Sequence, residues 1–226
     1  MQVIGILLFG SLARGDQTEG SDTDLLMINA ADETRHLSTG RVSMFLYPWD
    51  QLKRDGENGD LFVCHLVREA KALMDPSDYL SKLKEGFSFR SNYQSEVKLA
   101  TDLGWFLVRF GRELNPNLQA KRTLWCIRTI LIARSAERRQ PVFAPHLLAQ
   151  LTASEAARDL LNGRRIRRDP EALSRCLREF LEQESAIEPF HKRADQTAFK
   201  RHFSSTSNKV ALQTLDLEAT RQTTYT

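Results

Sequence analysis

The chain has 226 residues, of which 41% are hydrophobic and 27% are charged, and its formal net charge is +3. Its length allows one large domain or two small ones. No apolar run approaches the roughly 18 residues that cross a bilayer, and the opening "MQVIGILLFGSLARG" lacks the basic region of a secretory signal. We therefore expect a cytoplasmic protein with no membrane partner.

The cysteines point away from disulfides and from zinc. Cys64, Cys126 and Cys176 are odd in number and far apart, so no disulfide framework and no CxxC pair is present. The histidines form no HExxH pattern, which disfavours a zinc site. We expect all three cysteines to be buried free thiols.

The charge is unevenly distributed along the chain. Residues 1–86 carry 9 Lys/Arg and 14 Asp/Glu, whereas residues 87–226 carry 23 and 15. An acidic half beside a basic half suggests a metal-binding part next to a part that handles anions. Two solvated surfaces would give the same counts, so charge alone does not decide between these interpretations.

The first third of the chain predicts strands mixed with helices. "QVIGILLF", "TDLLMI" and "RVSMFLY" are short apolar runs bounded by Gly, Ser, Asp or Pro, which is typical of strands. "PWDQLKRDG" predicts a short helix with Pro48 at its first position and Gly56 beyond its end. "GDLFVCHLVREAKAL" and "MDPSDYLSKLKEG" predict two further helical segments.

Beyond Phe87 the pattern changes to long amphipathic helices. Apolar residues recur every three or four positions up to "NPN" at 115–117, and again in two later segments, the last preceded by Asp169-Pro170. The predicted fold class is therefore α+β: a mixed sheet flanked by helices over residues 1–80, then an all-α helical bundle over residues 87–190. Residues 191–226 are a Ser/Thr-rich tail, either a loosely held arm or a segment ordered by a partner.

The richest stretch is "GSLARGDQTEGSDTDLLMI", which follows the first predicted strand. Residues i and i+2 of a strand share a face, so Asp22 and Asp24 should project side by side. A divalent cation, most naturally Mg²⁺, would relieve the repulsion between their carboxylates. Gly10 lets the backbone approach a phosphate, and Ser11 adds a hydroxyl and an N–H group. Together these residues predict a site for a metal and a nucleoside triphosphate.

Two common nucleotide-binding motifs do not fit this stretch. In "GSLARG" the spacing of the two glycines matches a P-loop, but Asp16-Gln17 follows where Lys-Ser or Lys-Thr is required. No GxGxxG is present either, so a dinucleotide-binding fold lacks its fingerprint.

"LFGSLARGDQTEGSDTDLLMI" resembles the signature of the DNA polymerase beta-type nucleotidyltransferases, above all their small bacterial members, the minimal and antibiotic nucleotidyltransferases. Their pattern is Gly-Ser, a spacer of about ten residues, and Asp-x-Asp between apolar residues. A weaker resemblance extends through "VSMFLYPWDQL" and "LVREAKALMDP" to about residue 76. The resemblance identifies residues 1–80 as a nucleotidyltransferase domain, and the helical half resembles the family in architecture alone.

The resemblance implies a Mg²⁺-dependent transfer of a nucleoside monophosphate, with ATP as the favoured donor, to a hydroxyl acceptor. Gly10 and Ser11 would hold the β- and γ-phosphates, while Asp22 and Asp24 would be both the catalytic residues and the Mg²⁺ ligands. Arg14 would either add positive charge at the phosphates or lie on a helix surface. The acceptor stays open between a small molecule, an RNA end and a protein side chain.

One position departs from the family pattern. Members usually carry a third carboxylate on the neighbouring strand, and the aligned residue here is Ser43. Losing a general base typically costs about 10²–10⁴-fold in rate. The alternative interpretation is therefore a nucleotide-binding or regulatory protein of the same fold that transfers poorly. The candidates to replace the missing acid are three nearby carboxylates, Asp50, Asp60 and Glu69.

The partners follow from the charged and polar segments. "GRRIRRDP" concentrates four arginines in five residues, which would suit nucleic acid or a plain solvated loop; these are Arg164, Arg165, Arg167 and Arg168. A second copy of the chain or another protein is the further partner left open.

Overall fold

The structure is a computed structural model that describes residues 2–29, 34–163, 169–190 and 194–224, with side chains described as far as residue 218. The chain divides into two compact units. Unit 1 is formed by Met1–Asn92 and Arg134–Ala144, and unit 2 by Tyr93–Ala133 and Pro145–Thr226. No helix within the described ranges is both long and apolar enough to cross a membrane.

Unit 1 contains a five-stranded mixed sheet. Its strands are β1 (Val3–Phe9), β2 (Thr23–Asn29), β3 (Arg35–Thr39), β4 (Val42–Pro48) and β5 (Lys71–Met74), in the spatial order β3-β4-β2-β1-β5. The β2–β4 pair is parallel and the other three pairs are antiparallel. The three apolar runs predicted as strands correspond to β1, β2 and β4.

The helices of unit 1 cover the sheet with one apolar cluster. They are α1 (Gly10–Arg14), α2 (Trp49–Glu57), α3 (Leu61–Glu69) and α4 (Tyr79–Gly86). Buried side chains from β1, β2 and these helices form the core, including Leu7, Leu26, Leu52, Leu66 and Leu83. The alternation of apolar residues along β1 and β2 places every second side chain in this core.

The sequence did not predict β5 or β3, and every residue of both strands is exposed. The helix expected over "GDLFVCHLVREAKAL" ends at Glu69, and β5 follows it, because the backbone there pairs with β1 at the sheet edge. All four β5 residues are exposed, so they carry no core pattern. The five residues of β3 are exposed as well, and backbone pairing with β4 defines that strand.

The secondary structure of unit 2 is helical within its described residues and includes a short 3-10 helix at Gly111–Glu113, and α6 continues into unit 1 after Ala133. The helices are α5 (Gln94–Phe110), α6 (Pro116–Glu137), α7 (Pro145–Leu148), α8 (Glu155–Leu161), α9 (Pro170–Gln183), α10 (Gln196–Ser205) and α11 (Lys209–Thr224). The carboxylate of Asp169 caps α9 by accepting from the N–H groups of Glu171 and Ala172, with Pro170 at the first helical position. The α+β class and the helical second half are thus confirmed.

The segment from residue 191 onward differs from the Ser/Thr-rich tail expected from its composition. From Gln196 it forms α10 and α11, and Phe199 and Phe203 of α10 are fully buried. Their rings lie 5.6 and 5.7 Å from the ring of Phe106 on α5. Two aromatic side chains on one helical face therefore hold α10 in unit 2, which the count of serines and threonines does not reveal.

All three cysteines are buried free thiols, as predicted. Burial raises the pKa of Cys64 and of Cys176 to about 12, and it raises the pKa of Cys126 still further. These thiols therefore stay protonated at neutral pH.

Candidate functional site

Gly10 is the point where β1 turns into α1, and it lies against Asp24. Phe9, the last residue of β1, pairs with Asp24 of β2, and Gly10 has a φ of +73°. A Cβ atom at position 10 would lie 2.5 Å from the Oδ2 atom of Asp24. Real atoms do not approach so closely, and positive φ disfavours any L side chain. Both the turn and the neighbouring carboxylate therefore require glycine.

The two predicted acids lie at the start of β2. Asp24 is the second residue of the strand and is half-buried, whereas Asp22 directly precedes the strand and is exposed. The two acids flank Thr23 at the point where the loop enters β2. The structure thus places both carboxylates at the sheet end to which Gly10 belongs.

Arg41 fixes the loop that presents these acids, and sequence reasoning did not single it out. Its guanidinium donates to the carbonyl of Ser21 at 3.0 Å and also to the carbonyl of Glu19. The N–H of Thr23 donates to the carbonyl of Arg41 at 2.7 Å. The loop leading into Asp22 is therefore tied to the β3–β4 turn by both backbone and side chain.

Ser11 follows Gly10 in α1 and is half-buried. Its carbonyl accepts from the N–H groups of Gly15 at 2.9 Å and Asp16 at 3.1 Å, which closes the five-residue helix. The structure therefore places Gly10 against Asp24, with Ser11 as the next residue of α1.

Arg14, the remaining predicted residue, is held by carboxylates at the far end of α1. Its Nε atom donates to Asp16 at 3.1 Å and its Nη1 atom donates to Glu69 at 2.5 Å. Burial lowers the pKa of Arg14, but the hydrogen bonds and charges of Asp16 and Glu69 outweigh it and leave the pKa raised. Arg14 is therefore neither an open surface side chain nor directed by its contacts toward Asp24.

Glu69 is in turn shared with a histidine. The Nε2 atom of His65 lies 2.8 Å from the Oε2 atom of Glu69, the oxygen that also binds Arg14. The His65 ring stacks on Phe143 at 4.3 Å and meets the edge of Phe9 at 5.5 Å. We call Arg14, Asp16, Glu69 and His65 the charged cluster; it connects α1 to α3.

Ser43 lies directly beside Asp24 in the parallel β2–β4 pairing, on the same face of the sheet. Its neighbour on the other side is Ser38 of β3, with 3.4 Å between the two hydroxyl oxygens. In the described part of the chain, no three or more His, Cys, Asp or Glu side chains group closely enough to hold a metal ion. The strand position beside Asp24 thus carries a hydroxyl, where the nucleotidyltransferases that the sequence resembles usually carry an acid.

The three candidates to replace the missing third carboxylate do not lie beside Ser43 in the strand pairing; each has a different environment. Glu69 belongs to the charged cluster, and Asp50 is exposed in the first turn of α2. Asp60 caps α3 by accepting from the N–H groups of Phe62 at 2.8 Å and Val63 at 3.1 Å. Burial raises the pKa of Asp60 more than these backbone hydrogen bonds lower it.

The donors at this sheet end suit a hard divalent cation with few protein ligands. Asp24 supplies a half-buried carboxylate and Asp22 an exposed one, and Gly10 lets the backbone lie directly against Asp24. Mg²⁺ binds through one or two carboxylates and completes its shell with water and substrate phosphates. Asp22 and Asp24 fit such an ion as its protein ligands.

Several residues considered from the sequence lie outside the described residues. They are the four arginines of the basic run, Arg164, Arg165, Arg167 and Arg168, so nucleic-acid binding through them stays a prediction.

Residues 1–95 match the sequence model of a family described as "Nucleotidyltransferase domain". Among solved structures, the chain is similar to one named as a nucleotidyltransferase-like protein from Exiguobacterium sibiricum 255-15. The two share 18% identity over 81% of this chain and 70% of that one, with a TM-score of 0.32. No curated protein matches the chain.

Proposed function

We propose that this protein transfers a nucleoside monophosphate from a nucleoside triphosphate to a hydroxyl acceptor, because residues 1–95 match the sequence model of a nucleotidyltransferase domain. ATP is the proposed donor, Mg²⁺ the proposed cofactor and pyrophosphate the second product. The observation that carries this proposal is the approach of Gly10 to Asp24, where a Cβ would lie 2.5 Å from the carboxylate.

Each residue at the sheet end has a proposed role. Gly10 admits the β- and γ-phosphates close to the backbone, and Ser11 donates to them through its hydroxyl and N–H group. Asp22 and Asp24 hold the cation, which when bound neutralises phosphate charge and orients the leaving group. The acceptor hydroxyl attacks the α-phosphorus in line, and the bond to pyrophosphate breaks.

Arg14 has a different proposed role from the one that the family resemblance suggested. Its guanidinium is engaged by Asp16 and Glu69, so we propose that it positions α1 from the far end. In that role it would act on the phosphates through Gly10 and Ser11.

The position of Ser43 favours a second candidate function. A hydroxyl beside Asp24 cannot act as an anionic metal ligand, although phosphate contacts could still hold a nucleotide. The chain would then be a nucleotide-binding or regulatory protein of the same fold that transfers poorly.

The first experiment measures Mg²⁺-dependent nucleotide binding and pyrophosphate release with ATP, GTP, CTP and UTP. The double variant Asp22→Asn and Asp24→Asn should abolish Mg²⁺-dependent binding without lowering the free energy of unfolding, because a pair of like charges is removed. Asp50→Asn is the matched control, since it removes one exposed carboxylate of the same unit. Metal-dependent binding that survives in the double variant would refute the assigned site.

The variant Ser43→Asp separates the two candidate functions. In a protein that transfers poorly, restoring the acid should raise the rate of pyrophosphate release about tenfold or more. A tenfold increase corresponds to an activation free energy that is lower by about 1.4 kcal/mol. In an active transferase the same change should alter the rate only modestly. Nucleotide affinity should change little in either case, because the phosphate contacts are untouched.

A further inference from the structure

Ser43 is the inner end of a line of polar side chains that crosses from β4 to β3. Its hydroxyl oxygen lies 3.4 Å from that of Ser38, and the Ser38 oxygen lies 3.3 Å from the Nε2 atom of His36. Ser38 pairs with Ser43 across the two strands, and His36 pairs with Phe45. The line therefore begins beside Asp24 and ends at an exposed imidazole.

The backbone and one ring contact hold this line in place. His36 and Ser38 are two residues apart on β3, so their side chains share the face that carries Ser43. The His36 ring stacks on the ring of Phe45, with 4.2 Å between centroids and 17° between planes. Since Phe45 packs against the buried cluster of unit 1, the imidazole is stacked on a fixed partner although β3 is exposed.

We propose that Ser43, Ser38 and His36 form a proton relay that does the work of the missing third carboxylate. This proposal rests on the proposed function, since it supplies the base for that transfer. Ser43 would be the catalytic residue that touches the acceptor hydroxyl, whereas Ser38 and His36 would act through it. The relay would make the wild-type protein an active transferase.

The protons and electrons of the step balance within these groups. The acceptor oxygen forms a bond to the α-phosphorus, and the electron pair of the broken bond leaves with pyrophosphate. The acceptor proton moves to the oxygen of Ser43 as the Ser43 proton moves to Ser38 and the Ser38 proton moves to Nε2 of His36. The resulting imidazolium loses its proton to water, because β3 is exposed.

The chemistry of these side chains suits that task. A hydroxyl both donates and accepts, so it can pass a proton on without gaining charge, and imidazole is the usual protein base near neutral pH. Serine at position 43 also avoids placing a third negative charge beside Asp22 and Asp24. The 3.3 and 3.4 Å separations are long for hydrogen bonds of this type, and such bonds often shorten when substrate binds.

The charged residues on β3 and on the paired strand β4 support the choice of His36 as the base of this line. Strand β4, which pairs with β3, has no charged residue between Val42 and Pro48. On β3 the charged neighbour is Arg35, which adjoins His36 in sequence and so projects to the opposite face.

The experiment compares pyrophosphate release by His36→Gln, Ser38→Ala and Ser43→Ala with that of the wild type, on the full chain. Each variant should lower the rate about 10- to 100-fold. This loss is smaller than the largest losses seen when a general base is removed, because water can accept the proton instead. The affinity for the Mg²⁺-nucleotide should be unchanged. The wild type should lose activity toward acid pH, and His36→Gln should not show this loss. A further variant, His36→Ala, should recover part of its rate when imidazole is added. His146→Gln, which removes an exposed imidazole from α7, is the control.

A double variant makes the test decisive. With Ser43→Asp the new carboxylate can take the proton itself, so His36→Gln should lower the rate in the wild type but not in the Ser43→Asp background. Equal losses in both backgrounds, or an unchanged pH profile, would overturn the relay alone. Turnover seen only with Ser43→Asp would also overturn the relay while supporting a nucleotidyl-transfer site. Absence of nucleotide binding and turnover in the wild type and in Ser43→Asp would overturn the relay and the proposed function together.

Discussion

The two ends of α1 are held by opposite means. At its beginning, Gly10 lies against Asp24 through the absence of a side chain, and a Cβ there would lie 2.5 Å from the carboxylate. At its end, Arg14 is gripped by two carboxylates, 3.1 Å from Asp16 and 2.5 Å from Glu69. The first arrangement brings the backbone directly against an acid, whereas the second places a cation between two acids.

We expect this difference to separate nucleotide binding from structural support. The charged cluster is satisfied by the protein itself, and its ring contacts with Phe9 and Phe143 tie it to the core. At the Gly10 end, the Asp24 carboxylate lies where a side chain at position 10 would begin. Substitutions at the two ends should therefore affect different properties: nucleotide binding at the beginning of α1 and stability at its end.

The largest effect should come from Gly10→Ala. The added methyl group meets Asp24, and the positive φ adds strain, so the free energy of unfolding should fall by about 1–3 kcal/mol. Nucleotide affinity should fall at least about tenfold, or about 1.4 kcal/mol, because the phosphates and the carboxylate compete with the methyl group for space. Gly15→Ala is the matched control: its φ is +83° and no atom lies within 4 Å of its added Cβ. Equal losses of affinity in the two variants would show that the approach to Asp24 is irrelevant to binding.

A double-mutant cycle on Arg14 and Glu69 should give the next largest effect. Either Arg14→Met or Glu69→Met leaves a largely buried charge without its main partner, which should cost about 1–3 kcal/mol of unfolding free energy. The double variant should cost less than the sum of the two, as measured by urea unfolding. Arg112→Met is the control, because Arg112 and its partner Glu171 are 62% and 60% exposed. If Arg14→Met instead preserves stability and abolishes nucleotide binding, Arg14 binds phosphate.

Alkaline pH should weaken unit 1 through Cys64, which is next to His65 on α3. Burial raises the pKa of this thiol from 9.0 to about 12, so above pH 9 the unfolded chain ionises while the folded one does not. The stabilising contribution of the Cys64 thiol is intact below pH 9. Above pH 9 the free energy of unfolding should fall by up to about 1.4 kcal/mol per pH unit. Cys64→Ala, compared with the wild type by urea unfolding at rising pH, should show a shallower decline. Parallel declines in the two proteins would contradict the assignment to Cys64.

The smallest effect concerns Asp60 at the beginning of α3. Its raised pKa means that folding favours the protonated form, so this stabilising contribution is present at acid pH and lost as pH rises through the folded-state pKa. Asp60→Asn keeps the oxygen that accepts from Phe62 and Val63 and should change stability by less than about 0.5 kcal/mol at neutral pH. Asp60→Ala removes the cap and should cost about 1 kcal/mol. Thermal unfolding of both variants distinguishes the cap from the charge, and a larger cost for Asn than for Ala would contradict the capping role of Asp60.

Features determined by neighbouring residues could be predicted from the sequence. The strands β1, β2 and β4 follow from apolar runs that end at Gly, Asp or Pro, and the beginning of α9 follows from Asp169-Pro170. The meeting of Gly10 with Asp24 was also accessible, because a single antiparallel pairing brings the ends of two adjacent strands together.

Features that depend on distant partners could not be predicted. Arg14 and Glu69 are 55 positions apart, and no local pattern indicates that one will bind the other. The strand β3 has no buried face from which to recognise it, so Ser38 and His36 could not be placed beside Ser43. The helix α10 is anchored by two phenylalanines within a segment whose overall composition is polar.

The division of the chain has a practical consequence for anyone who wishes to excise unit 1. Unit 1 is built from two separate stretches, and the second stretch, Arg134–Ala144, supplies the Phe143 ring that stacks on His65. It also brings Arg139 over the ring of Phe89, with 5.1 Å between the guanidinium carbon and the ring centroid. A fragment cut at residue 95, where the family match ends, would lose both contacts. The evolutionary boundary and the physical one are therefore different, and a transplantable version of this domain must carry the returning segment with it.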